Sequence, residues 1–317
     1  MPRLGVIGTM VWDSIYGPEA GPDDAVEAWG GIAYSLAAAD AALGPEWSLA
    51  PLIKVGDDLS AEAERFFATL PRIDSLDGIH GVPESNNRVD LYYHEDDHGR
   101  RCEKLTGGVP AWTADELLPL VTACDALYIN FIAGWEMDLE VAAAVRVSVA
   151  GPIYADVHSL MLGVREDGIR RLRPLPDWRS WLDTFDFVQL NEDELETLAE
   201  GSAVPSSIVP EILASRTQAV FVTLGERGAE WTASDGDEAS AFVSSGTVAP
   251  AAAVVGGDPT GCGDVWGATC FAALLAGADL ETAAQAATKV AERNARFQGA
   301  SGFREFLASA ETDGDVA

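Results

Sequence analysis

Short apolar runs alternate with segments of helical periodicity almost from end to end of the chain, and this alternation limits the fold more tightly than any total. The runs "LGVIG" (4–8), "LAPLIKV" (49–55), "ALYINF" (126–131), "PIYADV" (152–157), "FDFVQL" (185–190) and "AVFVTL" (219–224) are each too short for a typical helix. They read as buried strands, the kind a largely parallel sheet needs when helices cover it. Helical patterns fill the intervals at 60–70, 138–149 and 192–200. Strand and helix in that order predict an α/β fold, a doubly wound and mostly parallel sheet with helices on both faces. No repeat or low-complexity stretch interrupts the pattern, so residues 1–317 are expected to form a single domain.

One region departs from it. "NNRVDLYYHEDDHGRRCEKLTG" (86–107) has strand-like pieces around the polar turn "EDDHG" and reads as a β-hairpin. Strand periodicity puts Arg88, Asp90, Tyr92 and His94 on one face. Together with segments near 13–31, the hairpin is expected to form a small sheet projecting from the main one. A lid over a site and an ordinary edge hairpin are both open on these residues alone. The aromatics Tyr16, Trp29, Tyr34, Tyr92 and Tyr93 either stack on a base or sugar face or fill the core of that small sheet.

Lys+Arg number 20 against 51 Asp+Glu, a net charge of −31, and the only lysines are Lys54, Lys104 and Lys289. Such a balance argues against nucleic acid as a partner. The acids are spread along the chain, so self-repulsion is expected in dilute buffer and relief in salt, as in a salty cytoplasm. No run approaches the roughly 18 consecutive apolar residues of a membrane helix, and "MPRLGVIGTM" lacks a signal peptide's apolar core, so a cytoplasmic protein without a membrane partner is expected. The four cysteines (Cys102, Cys124, Cys262 and Cys270) show no CxxC spacing and read as reduced thiols rather than a disulfide framework or zinc site.

The stretch richest in chemistry is "GDPTGCGDVWG" (257–267). Apolar positions Ala268, Phe271, Ala272 and Leu275 recur downstream at helical spacing, which puts the glycines at a helix start. Free backbone N–H groups at such an end attract anions, and glycine lets a phosphate come close. Asp264 then stands in the first turn, where a carboxylate can take a proton from a hydroxyl attacking phosphorus. A plain helix start with small residues for close packing accounts for the same letters. There is no GxxxxGK[ST] P-loop, and Gly261, Gly263 and Gly267 read GxGxxxG rather than GxGxxG.

"DPTGCGD" resembles the DTxGAGD signature of the ribokinase-like carbohydrate kinases, the phosphofructokinase B family, and four further stretches extend the likeness in the family's order. "GVIGTMVWDSIYG" (5–17) is similar to the first strand and its substrate-binding aspartate, here Asp13. "WGGIAYSLAAADAALG" (29–44), with "KVGDD" (54–58) after it, resembles the second glycine signature. "QLNEDELETL" (189–198) carries the N-x-x-E element as Asn191 and Glu194, and "VTLGERGAEW" (222–231) resembles the T-x-G-x-x-G nucleotide hairpin. Together they cover roughly residues 4 to 302.

The resemblance implies a ribokinase-like fold with a small β-sheet lid near 13–31 and 86–107, and an ATP- and Mg²⁺-dependent transfer of phosphate to a hydroxyl of a small sugar, polyol or nucleoside. It implies Asp264 as the base, with Gly261, Cys262 and Gly263 supplying backbone donors to the phosphoryl group; the Cys262 thiol itself is read as incidental. Asp13, Gly30 and Gly31 would hold substrate hydroxyls. Asn191 and Glu194 would place magnesium through its waters, although N-x-x-E is equally an N-cap and an acid in the first helical turn. Thr223, Gly225 and Gly228 would lie by the nucleotide. In many relatives the neighbourhood of Asp258 and Thr260 is associated with phosphate and a monovalent cation, which makes K⁺ a candidate cofactor with Asp258 beside it. Lid strands in such folds often pair between subunits, which makes a homodimer through the lid the candidate assembly.

Two departures bear on the acceptor. Ser35 stands about where the family commonly has a sugar-touching asparagine, and "ADVHSLMLG" replaces the Asp-Pro-Asn-like turn of many relatives, bringing in His158 as a contact for substrate or phosphate or as a structural histidine. Two other functions stay open: a non-catalytic sugar or nucleotide sensor of the same fold, and a vitamin-type kinase acting on a hydroxymethyl group.

Overall fold

A computed structural model of the protein describes residues 1–16, 25–93, 101–200, 202–234, 243–251 and 257–312. In chain order its strands are β1 (Arg3–Ile7), β2 (Met10–Tyr16), β3 (Val26–Gly31), β4 (Ser48–Gly56), β5 (Ile79–Val82), β6 (Arg88–Tyr93), β7 (Arg101–Thr106), β8 (Ala126–Asn130), β9 (Ile153–Asp156), β10 (Leu162–Val164), β11 (Arg170–Leu172), β12 (Phe187–Asn191), β13 (Ala219–Thr223), β14 (Ala229–Ser234) and β15 (Val243–Val248). All six apolar runs of the sequence are strands of one sheet, ordered β15-β14-β13-β12-β9-β8-β1-β4-β5. Every pairing from β13 to β5 is parallel, and β14 and β15 add an antiparallel edge.

The sheet separates two apolar cores. On one side Val6, Tyr128 and Phe221 meet the helices Ile32–Ala42, Cys262–Leu275 and Leu280–Asn294. On the other, Ile7, Ile129 and Val188 meet the helices Ala114–Val121, Leu139–Ser148 and Trp178–Leu182. Helices thus cover both faces, and the carboxyl ends of the parallel strands form one rim. Asn130 and Asp156 are register partners there, as are Gln189 with Asp156 and Asn191 with Thr223. Side chains from four neighbouring strands therefore converge at the edge where open α/β sheets bind ligands.

The helix Cys262–Leu275 differs from its expected one-sided pattern. Every residue from Val265 to Ala272 is buried, because the helix lies between its neighbouring helices and the sheet. A helix apolar on all sides is a core helix rather than a surface one.

A second sheet, ordered β3-β2-β6-β7, stands beside the rim. The expected hairpin is β6–β7, and β6 runs parallel to β2. Its expected turn at 95–99 and His94 lie outside the described residues. Alternation along β6 turns Val89 and Leu91 inward and leaves Arg88, Asp90 and Tyr92 on the other face, where Arg88 pairs with Asp58 (3.0 Å) and Tyr92 stacks on Tyr16. Trp29 is buried edge-on against Trp12, so it fills this sheet's core. The sequence reading missed the hairpin of β10 and β11. It docks on β7 through a bridge between Lys104 and Ile169 and a bond from the Leu105 N–H to the Gly168 carbonyl (2.9 Å).

Candidate active site

Between the rim and the small sheet lies an open cleft. Its floor is the start of the helix Cys262–Leu275, where Thr260, Gly261 and Asp264 line it. Its roof comes from the small sheet, with Val11, Asp13, Val89, Leu91 and Glu103. Gly31, Tyr34 and Ile132 close one wall, and His158 and Arg170 another.

The floor is tightly specified. Gly261 has φ 75°, and a Cβ there would stand 2.5 Å from the Tyr34 ring, so only glycine fits both its conformation and its neighbour. A Cβ on Gly263 would approach nothing closer than the Gln189 amide at 3.8 Å, so its smallness answers to no protein neighbour and leaves the helix start open. The Cys262 N–H donates to the Pro259 carbonyl at 3.2 Å. Its thiol faces the helix Leu280–Asn294, near the Ala291 carbonyl (3.5 Å) and the Asn294 amide (3.4 Å), away from the cleft chemistry.

Asp264 is held from behind. Asn130 donates to its Oδ1 at 2.8 Å, and its carbonyl accepts from Ser35 (3.2 Å) and Tyr128 (3.3 Å). Ser35 is fully buried and also accepts from Asn130 at 3.2 Å. Ser35, a candidate substrate contact by its place in the sequence, thus supports the floor from inside the protein. Gln189 links two parts of the site, donating to Asp156 (2.9 Å) and to the Gly263 carbonyl (3.0 Å) while Tyr154 donates to it. Asn130 carries no motif in the sequence, and Asp156 and Gln189, though they fall within quoted stretches, were not singled out there; their signal was a polar residue at or near the end of an apolar run.

On the roof, the two glycine-bearing signatures meet. β2 and β3 pair so that a Cβ on Gly30 would fall 1.7 Å from the Asp13 carboxylate, which lies across the bare glycine. Asp13 and Gly31 line the cleft. Arg170 stands 3.5 Å from Glu103, a pair spanning the β10–β11 hairpin and the small sheet that sequence reasoning did not find.

The residues expected beside a nucleotide gather at the ends of β12 and β13. Asn191 caps the helix Glu192–Leu198 with a complete capping box, and Glu194 accepts from the Asn191 backbone (2.7 Å) and side chain (2.6 Å). Both expectations for N-x-x-E therefore concern the same atoms, since each carboxylate oxygen keeps a lone pair for a further donor. Burial pushes Glu194 up to about 7, with His158 pulling in the other direction. Thr223 ends β13, and Gly225–Arg227 with Gly228 form the tight turn into β14. Thr260 is buried, and its N–H donates to Asp258 at 2.9 Å.

Residues 167–304 match the family described as pfkB family carbohydrate kinase. That span holds Asn191, Glu194, Thr223 and Asp264, and leaves Asp13 and Gly30 outside it. No curated protein matches the sequence. Among solved structures, a ribokinase from Thermotoga maritima is similar at 17% identity and a TM-score of 0.73, over 98% of this chain and 99% of that one. An Arabidopsis thaliana ribokinase complexed with ribose and ATP is similar at 20% identity and 0.70, over 97% of each chain. A Methanocaldococcus jannaschii nucleoside kinase is similar at 17% identity and 0.69, over 99% of each. At these identities the likeness establishes the fold.

Proposed function

Because this chain has the ribokinase-like fold and matches, over residues 167–304, the pfkB family of carbohydrate kinases, we propose that it transfers a phosphoryl group from ATP to a hydroxyl of a small sugar, polyol or nucleoside. One observation carries the reading: Asp264 stands in the first turn of its helix, held by Asn130 at 2.8 Å, in the same cleft as Asp13 and Gly31. An acceptor held by Asp13 brings a hydroxyl to the carboxylate. As the hydroxyl oxygen attacks phosphorus, its proton passes to Asp264, and ADP leaves with the broken bond's electrons. Backbone N–H groups of the helix start, where glycine leaves room, take the charge growing on the phosphoryl oxygens.

Magnesium fits the donor side. Glu194 is a buried carboxylate poised near neutrality, and Asn191 beside it offers its side-chain oxygen, so the two would hold the ion through its waters. When bound, the ion neutralises charge shared by the phosphates. Thr223, Gly225 and Gly228 would border the nucleotide, and Asp258 and Thr260 a monovalent cation such as K⁺. We assign the protein to the cytoplasm, with a surface adapted to high salt, and assembly through the small sheet's edges. Among the described residues no helix is long and apolar enough to cross a membrane.

A panel of sugars, polyols and nucleosides with ATP and magnesium in high salt tests the reading, run on wild type and Asp264→Asn. Turnover of at least one acceptor is expected, with a loss of about 100-fold or more in the variant. Ligand binding without turnover by the wild type would make the protein a sensor, and an undiminished variant would remove Asp264 as the base.

A further inference from the structure

We propose that His158 is a further catalytic residue: with Nδ1 tied to Asp156, it presents Nε2–H to the phosphoryl group as that group passes to the acceptor beside Asp264. The proposal rests on the phosphotransferase reading above.

His158 opens the tight turn His158–Met161 directly after β9. Its Nδ1 lies 3.0 Å from Asp156 Oδ1, and its backbone N–H donates to the same oxygen at 3.2 Å. The other oxygen of Asp156 accepts from Gln189 at 2.9 Å, and Gln189 donates in turn to the Gly263 carbonyl at 3.0 Å. The imidazole is thus coupled through two side chains to the helix start that carries Asp264. Carboxylate on one ring nitrogen fixes which face of the ring the other nitrogen presents. His158 lines the cleft with Thr260, Gly261 and Asp264, and one nitrogen of the ring lies within 4.8 Å of carboxylate oxygens from both Asp156 and Asp264.

Charge explains why a cation belongs there. Asp156 from β9, Asp264 from the floor helix and Glu194 from the helix Glu192–Leu198 all act on His158, while β12 packs against the turn with the uncharged Gln189. A polyanionic donor must reach Asp264 through this field. Arg170, the other basic side chain of the cleft, lies at the roof, 3.5 Å from Glu103. Burial alone would push His158 down, but the three carboxylates outweigh it and raise the group to about 9, so the ring is a donor at both nitrogens around neutrality. In the transfer step the acceptor proton still goes to Asp264 and the phosphorus–oxygen bond to ADP still breaks. His158 neither gains nor loses a proton; it donates a hydrogen bond to a phosphoryl oxygen as charge develops on it.

The test compares wild type, His158→Gln and Asp156→Asn on an acceptor from the panel, with kcat and acceptor KM measured from pH 6 to 10 and thermal melts to confirm folding. His158→Gln is expected to lose about 100-fold in kcat, with acceptor KM within about threefold. In the wild type kcat should hold to about pH 9 and then fall as the ring loses its proton. That decline should vanish in His158→Gln and move toward pH 6.5 in Asp156→Asn, which keeps the ring but removes its anion. Unchanged kcat in His158→Gln, a loss confined to KM, or a wild-type rate that climbs through pH 9 would each overturn the proposal while leaving the kinase reading intact. A wild type that phosphorylates nothing overturns both.

Discussion

At the floor of the cleft, Asp264 is fixed by Asn130, Ser35 and Tyr128, all drawn from buried elements of the main fold. At the roof, Asp13 rests on the bare backbone of Gly30 in a four-stranded sheet beside the main one, with Val89 and Leu91 as its apolar neighbours. The floor is held from behind, because Asn130, Ser35 and Tyr128 all bond to Asp264 from buried positions, and a partly satisfied buried network is costly. The roof sets Asp13, Arg170 and Glu103, all largely buried, among Val11, Val89 and Leu91 of the same apolar core. In the proposed kinase the floor would fix the base for transfer and the roof would set the choice of acceptor.

Four substitutions separate these regions. Gly261→Ala should have the largest effect, since the new Cβ meets the Tyr34 ring and the backbone is left-handed. About 2 kcal/mol or more of stability should go, read by urea unfolding, with turnover down roughly 100-fold through displacement of Asp264. Asp13→Asn keeps the side chain's shape over Gly30 but removes its charge. Acceptor KM should rise roughly 10- to 100-fold with kcat little changed, and a loss in kcat instead would mean the roof takes part in transfer. Ser35→Ala removes one support of the floor, so kcat should fall about fivefold at constant KM; a change in acceptor KM would return Ser35 to the substrate wall. Cys262→Ala should change neither constant more than about twofold, and rapid loss of activity in that variant would show that the thiol's contacts with Ala291 and Asn294 hold the floor.

The two regions also differ in how far the letters disclosed them. Asp264 and Gly261 stand out because a helix start, an anion site and a base must share a few consecutive residues. Asn130, Asp156 and Gln189 are equally part of the floor, yet Asn130 and Asp156 are lone polar residues closing apolar strands and Gln189 a lone polar residue within one, and little local distinguishes them. The rule that parallel strands offer their carboxyl ends to ligands could have nominated all three. Ser35 misled because a motif position specifies a helix turn but not which side of it faces the cleft. The β10–β11 hairpin was missed since three-residue strands fall below any periodic signal.

The sequence by itself determined the layered α/β architecture and the five ordered stretches, three of which line the cleft. Period and spacing are local properties, and burial on both faces forces continuous apolar strands wherever a parallel sheet is covered by helices. The tertiary structure alone decided that Ser35 props up Asp264, that Val89 and Leu91 rather than Arg88 and Asp90 face the cleft, and that His158 and Asp156 stand beside Asp264. Those contacts join residues far apart in the chain, such as Asn130 to Asp264 and Gln189 to Gly263. Strand order and packing create such pairs, and neither is written in any one segment.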